Sequence, residues 1–288
     1  MATTESHSIT VLPDVIINIV TTRPQSNGDA RNSPPALIFL HFRGGSSRTW
    51  SSIVPLLSPV YPTIAIDFRG WGASSGPADP DAYSTSDLAD DVLAVIQKTD
   101  IAEFFLVGHS MGAKVAQVIA GRIASPTMTD PNGLRKNLRG LILIGPAPPT
   151  PLVLPGDMRE QQVHAYGNAE SAEFVARNVL TSAELNADTV TSLVQDMVKG
   201  NKWAREAWPA YVMGEDVSEW TGKIEVPSLV ISAEKDVVEP TERVQREVVE
   251  RLEKVQFVVL KGSGHLSPVE VPHGVADQML IFLRGLEL

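Results

Sequence analysis

The stretch that decides the fold is Leu106-Val107-Gly108-His109-Ser110-Met111-Gly112-Ala113-Lys114. The run Glu103-Phe104-Phe105-Leu106-Val107, apolar after its first residue, leads into Gly-x-Ser-x-Gly, and a run of small, helix-forming residues follows. The pattern predicts a strand that turns sharply into a helix with Ser110 at the apex. So tight a turn strains the backbone at the serine and presses positions 108 and 112 against neighbouring backbone, where a residue without Cβ fits. Ala113, Ala116 and Ala120 let the helix lie close to a sheet. Glycine and serine are common loop residues, so the alternative is an ordinary loop with an idle serine. The rest of the chain has to supply a base, an acid and an oxyanion site.

Upstream of this turn, residues 36–40 (ALIFL) and 63–66 (TIAI) are unbroken apolar runs, as in strands covered on both faces. The first ends in His41-Phe42-Arg43-Gly44-Gly45-Ser46-Ser47, the second in Asp67-Phe68-Arg69-Gly70-Trp71-Gly72-Ala73-Ser74. Residues 9–12 and 15–20, split by Pro13-Asp14, read as an opening hairpin, and residues 23–35 as a polar loop. Ser86 is the expected N-cap of a helix with Leu88, Val92 and Ile96 on one face.

Downstream, the helix after Ser110 is expected to run to about Ala124, with a surface excursion over residues 125–137 and a strand over 138–144. No strand pattern then recurs before Gly222. Ala172/Val175/Ala176/Val179 and Val190/Leu193/Val194/Met197 keep helical spacing, and Trp203, Trp208, Tyr211 and Trp220 fall on a third helical run and its exit. Strand order resumes at residues 228–232, followed by a helix with Val244/Val248/Leu252, a strand over 257–260 and a helix with Val275, Met279, Phe282 and Leu283. This alternation predicts an α/β fold with a mostly parallel sheet and helices on both faces. Its core would comprise residues 1–148 and 223–288, interrupted by a helical insertion at residues 149–222. The polar and glycine-rich segments follow the strands, which puts the site at the carboxyl edge of the sheet.

The 288 residues are 43% hydrophobic, enough for one large core. A net charge of -10 argues against nucleic acid or an anionic membrane as partner. Cysteine is absent, which excludes disulfides and thiolate metal sites. The opening MATTESHSIT lacks the basic-then-apolar pattern of a signal peptide, and no apolar run approaches the roughly 18 residues of a membrane span. A soluble protein, most simply cytoplasmic, is the expectation. No His-x-x-x-His pair or carboxylate cluster falls at ligand spacing, so neither a metal nor another cofactor is expected.

A serine hydroxyl is a poor nucleophile until a base takes its proton. His265, in Lys261-Gly262-Ser263-Gly264-His265-Leu266-Ser267-Pro268, lies just beyond the last strand, in a loop suited to presenting a side chain. Asp236, in Ala233-Glu234-Lys235-Asp236-Val237-Val238-Glu239-Pro240, follows the preceding strand and would hold the imidazole in one tautomer. Glu234 is the runner-up acid, closer to the strand end, and nothing acidic follows the 138–144 strand. The order Ser, Asp, His is that of hydrolases rather than of the two protease arrangements. Of the other histidines, His109 suits packing or a site wall, His41 braces its loop, His7 falls in a frayed start, and His164 and His273, on expected helices, read as solvated. Negative charge on a carbonyl oxygen needs donors. The Met111 backbone N–H is one, and the Arg43 N–H is the second, with Phe42 as the alternative.

These segments together resemble an α/β-hydrolase with a helical cap, of the esterase, lipase and cofactor-free haloperoxidase-like kind. HFRGGSS resembles the family's oxyanion loop, DFRGWGASSGP its DxRGxGxS loop, GHSMG its nucleophile elbow, EKDVVEP its acid loop and GSGHLSPVEVP its histidine loop. Phe42 stands where the family usually has glycine. Serine at position 110 disfavours the relatives with Asp at the elbow. The resemblance implies a serine hydrolase cleaving a carboxylic ester, or related acyl bond, of a small, mostly apolar molecule through Ser110, His265 and Asp236. Phe42, His109, Trp203, Trp208 and Tyr211 are the expected substrate-binding residues, and Phe174 and Met213 are further candidates for the pocket wall. Two alternatives share the site: non-hydrolytic chemistry (perhydrolysis, C–C cleavage or lyase chemistry) and a slow-turnover ligand receptor. Oligomeric state is not legible in the sequence.

Overall fold

The structure, a computed structural model, describes residues 2–24, 34–99, 101–127 and 133–286. The loops expected over residues 23–35 and 125–137 fall in part outside these residues. Eight strands form one sheet: β1 (Thr3–Leu12), β2 (Val15–Arg23), β3 (Ala36–Leu40), β4 (Thr63–Ile66), β5 (Phe104–His109), β6 (Leu138–Ile144), β7 (Ser228–Ala233) and β8 (Val255–Leu260). Their order is β1-β2-β4-β3-β5-β6-β7-β8. The first two pairings are antiparallel, and every pairing from β4 through β8 is parallel. The parallel strands therefore all end at one edge, where the loops after β3, β5, β7 and β8 meet.

The apolar strands are apolar because both sheet faces are covered. In β3, Leu37 and Phe39 join a cluster with Trp50, Val275, Met279 and Phe282, which puts the helix Pro272–Gly285 on that face. Ile38 and Leu40 point the other way, into a cluster with Leu88, Val92, Val115 and Ile119 from the helices Thr85–Lys98 and Met111–Ala124. Each such fully buried large side chain contributes roughly 1.5–3 kcal/mol.

Three local expectations need correction. The strand β1 begins at Thr3 rather than near residue 9, because its polar half pairs at the sheet edge, where Ser6 Oγ donates to Asn18 Oδ1 at 2.8 Å. The helix Thr85–Lys98 is capped by Ser84, not Ser86: Ser84 Oγ accepts from the Asp87 amide at 3.0 Å and Asp87 Oδ2 accepts from the Ser84 amide at 2.9 Å. This reciprocal pair outcompetes a cap two residues later, and Ser86 Oγ instead accepts from Arg122. The helix carrying Val244 ends at Glu247, where Val248 leaves the helical region at φ -120°, and one 3₁₀ turn, Val249–Arg251, completes the segment.

Between β6 and β7 the described chain is helical, with Gly156–His164, Ala169–Val175, Ala187–Lys199, Lys202–Ala210 and Ser218–Thr221 as its α-helices. The helical run expected through Val179 is present, its last five residues, Ala176–Leu180, winding as a π-helix. Polar contacts tie this block to the sheet-edge loops. Asp196 accepts from Ser46 Oγ at 2.8 Å and pairs with Arg48, and the Leu266 amide donates to the Leu180 carbonyl at 2.8 Å. Among the described residues no helix is long and apolar enough to cross a membrane.

Candidate active site

Ser110 sits between β5 and the helix Met111–Ala124 at φ 54°, ψ -115°, and it alone among the described non-glycine residues has a positive φ. Such backbone is held only where surrounding structure imposes it. Here the Ser110 amide donates to the Ile144 carbonyl of β6 at 3.0 Å, and the Ser110 carbonyl accepts from the Ala113 amide at 3.0 Å. Gly112 is required: a Cβ there would collide with the Leu40 carbonyl and lie 2.7 Å from that of His41. The helix thus starts against the end of β3, beside the loop that carries Arg43.

His265 and Asp236 meet at the same edge. His265 Nδ1 lies 2.8 Å from Asp236 Oδ2, with side chains 2% and 0% exposed. Asp236 Oδ1 accepts from the amides of Val238 and Glu239, each at 2.8 Å. Burial raises the Asp236 pKa, but the adjacent imidazole and these hydrogen bonds outweigh it, and the net displacement is downward. Burial lowers the His265 pKa, yet the Asp236 charge and hydrogen bond carry it upward, with Glu239 and Glu270 adding to the effect. An ionised carboxylate accepts only, so Nδ1 bears the proton and Nε2 is left as the base.

The runner-up acid, Glu234, is on the surface, bonded to Lys261 Nζ and the Gly262 amide, each at 2.9 Å. Glu270 braces the histidine loop, accepting from the amides of Gly264 at 2.9 Å and Ser182 at 3.0 Å. His41 spans two loops: Nδ1 donates to the Phe42 carbonyl at 2.7 Å, and Nε2 accepts from the Phe68 amide at 3.1 Å.

A cavity of about 1020 Å³ is lined by Ser110 and His265 together with Phe42, Arg43, Tyr166 and Trp208, among others. Phe174, Val175, Val179 and Leu180 supply further apolar wall, and Asp157, Glu160 and Glu170 stand exposed at its helical side. Neither the Met111 amide nor the Arg43 amide has an acceptor among the described residues. The site therefore combines a hydroxyl, an oriented imidazole and two amides without acceptors.

Of the residues expected to bind substrate, Phe42 and Trp208 line the cavity, whereas His109, Trp203 and Tyr211 do not. His109 is fully buried, with its ring 5.3 Å from that of Phe42, and donates Nε2–H to the His265 carbonyl at 2.9 Å. Burial lowers its pKa to about 3, so it is neutral and holds the histidine loop rather than taking protons. Tyr211 is turned away and its hydroxyl accepts from the Tyr83 amide at 3.1 Å. Trp203 packs partly buried against the core. Met213 is buried away from the cavity.

Two charged groups beneath the site escaped sequence reasoning. Glu239 is 4% exposed, and burial raises its pKa to about 7 despite Arg243. Arg243 Nη1 lies 3.3 Å from Glu239 Oε2 but outside hydrogen-bond geometry, so that oxygen has no donor. Lys114 is 1% exposed with its pKa lowered to about 8 by burial, and its Nζ donates to the Glu215 carbonyl at 2.7 Å. The only prior signal was position: Lys114 just after the elbow, Glu239 in the acid loop.

The α/β-hydrolase fold model matches residues 35–272. A 3-oxoadipate enol-lactonase of Acinetobacter baylyi is 27% identical over 240 residues, 83% of this chain and 84% of that protein. Among solved structures, an esterase from Exiguobacterium antarcticum superposes with a TM-score of 0.81 at 19% identity, over 97% of this chain and 100% of the other. A bromoperoxidase from Bacillus anthracis gives 0.82 at 16% identity, also over 97% and 100%. At these identities the structural likeness is one of fold.

Proposed function

Because the chain belongs to the α/β-hydrolase fold family, we propose that it is a serine hydrolase cleaving a carboxylic ester, or a related acyl bond, of a small and mostly apolar molecule. The observation that carries this reading is the buried His265–Asp236 pair opening onto the same cavity as the strained Ser110. His265 Nε2 takes the Ser110 Oγ proton as Oγ attacks the carbonyl. The resulting oxyanion lies against the Met111 and Arg43 amides, which need no reorganisation because no acceptor among the described residues occupies them. The His265 imidazolium, steadied by Asp236, protonates the leaving alcohol. Water activated by Nε2 then releases the acid from the acyl-enzyme.

The helical block between β6 and β7 roofs the site, and Val175, Val179, Leu180 and Trp208 take up the apolar part of the substrate. The experiment is release of nitrophenol from short to medium 4-nitrophenyl acyl esters, wild type beside Ser110→Ala. Wild type turns over with a chain-length preference and Ser110→Ala loses nearly all activity. Undiminished turnover by Ser110→Ala contradicts the proposal.

A further inference from the structure

Arg43 contributes more than its amide. Its residue is 8% exposed, and the guanidinium lies over the Tyr166 ring at 4.5 Å from the centroid. A guanidinium has five N–H donors. Nε donates to the Arg205 carbonyl at 3.2 Å, and Nη2 donates to the carbonyls of Gln162 at 2.7 Å and Arg205 at 2.9 Å. Three donors are thus engaged, all by neutral carbonyl oxygens. The two on Nη1 have no partner among the described residues, and Nη1 is not sealed from the surroundings. Among the described residues no carboxylate is paired with this charge, and the charged or polar groups that bear on it are Tyr166 and a second cation, Arg205. Arg43 lines the cavity that holds Ser110 and His265. A buried cation without a counter-charge is costly, and an arriving anion offsets that cost.

We propose that the free Nη1 edge of Arg43 receives a carboxylate of the substrate, so that the preferred ester is an apolar one bearing a second, anionic carboxyl group. The proposal rests on the serine-hydrolase reading and narrows its substrate class. Three features support it. The fork is already oriented by its three carbonyl bonds and by Tyr166, so little side-chain freedom is lost on binding. A hydrogen bond from Nη1–H to a carboxylate oxygen is charge-assisted and stronger than the bonds the other three donors make to neutral carbonyls. The carboxylates at the cavity's helical side, Asp157, Glu160 and Glu170, are exposed and screened by solvent, whereas Arg43 acts from a buried position.

The test compares 4-nitrophenyl monoesters of the straight six-, seven- and eight-carbon dicarboxylic acids with 4-nitrophenyl esters of the matching monocarboxylic acids. The readout is the ratio of kcat/KM, anionic over neutral, at equal chain length. Wild type gives a ratio above one for at least one length. Arg43→Gln lowers that ratio about 10- to 100-fold, whatever it costs on both substrates together. Arg43→Lys, which keeps the charge without the fork, falls between. A purely structural latch, or action on the oxyanion alone, lowers both substrates equally, and an unchanged ratio overturns the proposal. A wild-type ratio below one at every length overturns it as well, even if the variants fail to fold. Neutral-ester turnover that requires Ser110 leaves the serine-hydrolase reading standing in either case.

Discussion

Asp236→Asn exchanges one oxygen for a nitrogen at a side chain with no exposed surface, so shape is kept and only the hydrogen-bond polarity changes. In the wild type, Oδ1 takes two amides and Oδ2 takes His265 Nδ1–H, all at 2.8 Å. The asparagine keeps its oxygen on the two amides, because two buried donors would otherwise be orphaned. Its NH₂ then faces Nδ1, which must become the acceptor. The imidazole proton moves to Nε2, the atom that has to take the Ser110 proton. The wrong tautomer costs roughly ten-thousand-fold in kcat, or about 5.5 kcal/mol at 1.36 kcal/mol per factor of ten. The assay is kcat on 4-nitrophenyl butyrate at pH 7, beside a thermal melt by circular dichroism. A Tm near that of wild type with kcat down by three to four orders of magnitude is the expected outcome. Activity within tenfold of wild type in a folded protein would refute the assignment of Asp236 as the orienting acid.

Two further outcomes follow from the groups around the elbow. The Glu239 pKa is raised to about 7 in the folded chain, so between pH 4.5 and 7 the unfolded state has already lost the proton that the folded state retains. Stability therefore falls as pH rises through that window, by about 3 kcal/mol. Urea unfolding at pH 5 and pH 8 should show this fall in wild type and a flatter response in Glu239→Gln, and equal slopes would contradict it. Gly112→Ala forces a methyl group onto the carbonyls of Leu40 and His41, an overpacking cost of about 1–3 kcal/mol or more. Calorimetry should record a Tm fall of about 2–5 °C, and an unchanged Tm would mean that the close approach is not real.

Most of this architecture was legible because strands covered on both faces must be apolar throughout and the loops after them must not be. Residues 36–40, 63–66 and 138–144 announce themselves in that way, and Ser110, Asp236 and His265 each stand just past such a run. The Nδ1 partner of His265 was legible too, since Asp236 follows the neighbouring strand. What stayed hidden depends on contacts far apart in sequence. His109 looked like a site wall, but its partner is a backbone carbonyl 156 residues away, and no pattern of side chains encodes that. Trp203 and Tyr211 share a helical segment with Trp208, yet only Trp208 faces the cavity, because the rotation of that segment is set by its packing. Ser84 and Ser86 both precede aspartates, and the choice between them rests on which one closes a reciprocal pair with Asp87. The Arg43 side chain is engaged by carbonyls of the helical block, so its burial was invisible until that block was in place.

The most direct measurement of the central claim is covalent capture of the nucleophile. Wild type and Ser110→Ala are treated with a fluorophosphonate, followed by intact mass and peptide mapping. The account predicts one adduct per wild-type chain, on the peptide containing Ser110, and none on Ser110→Ala. An adduct on another residue, or ester turnover with no adduct on Ser110, would contradict it.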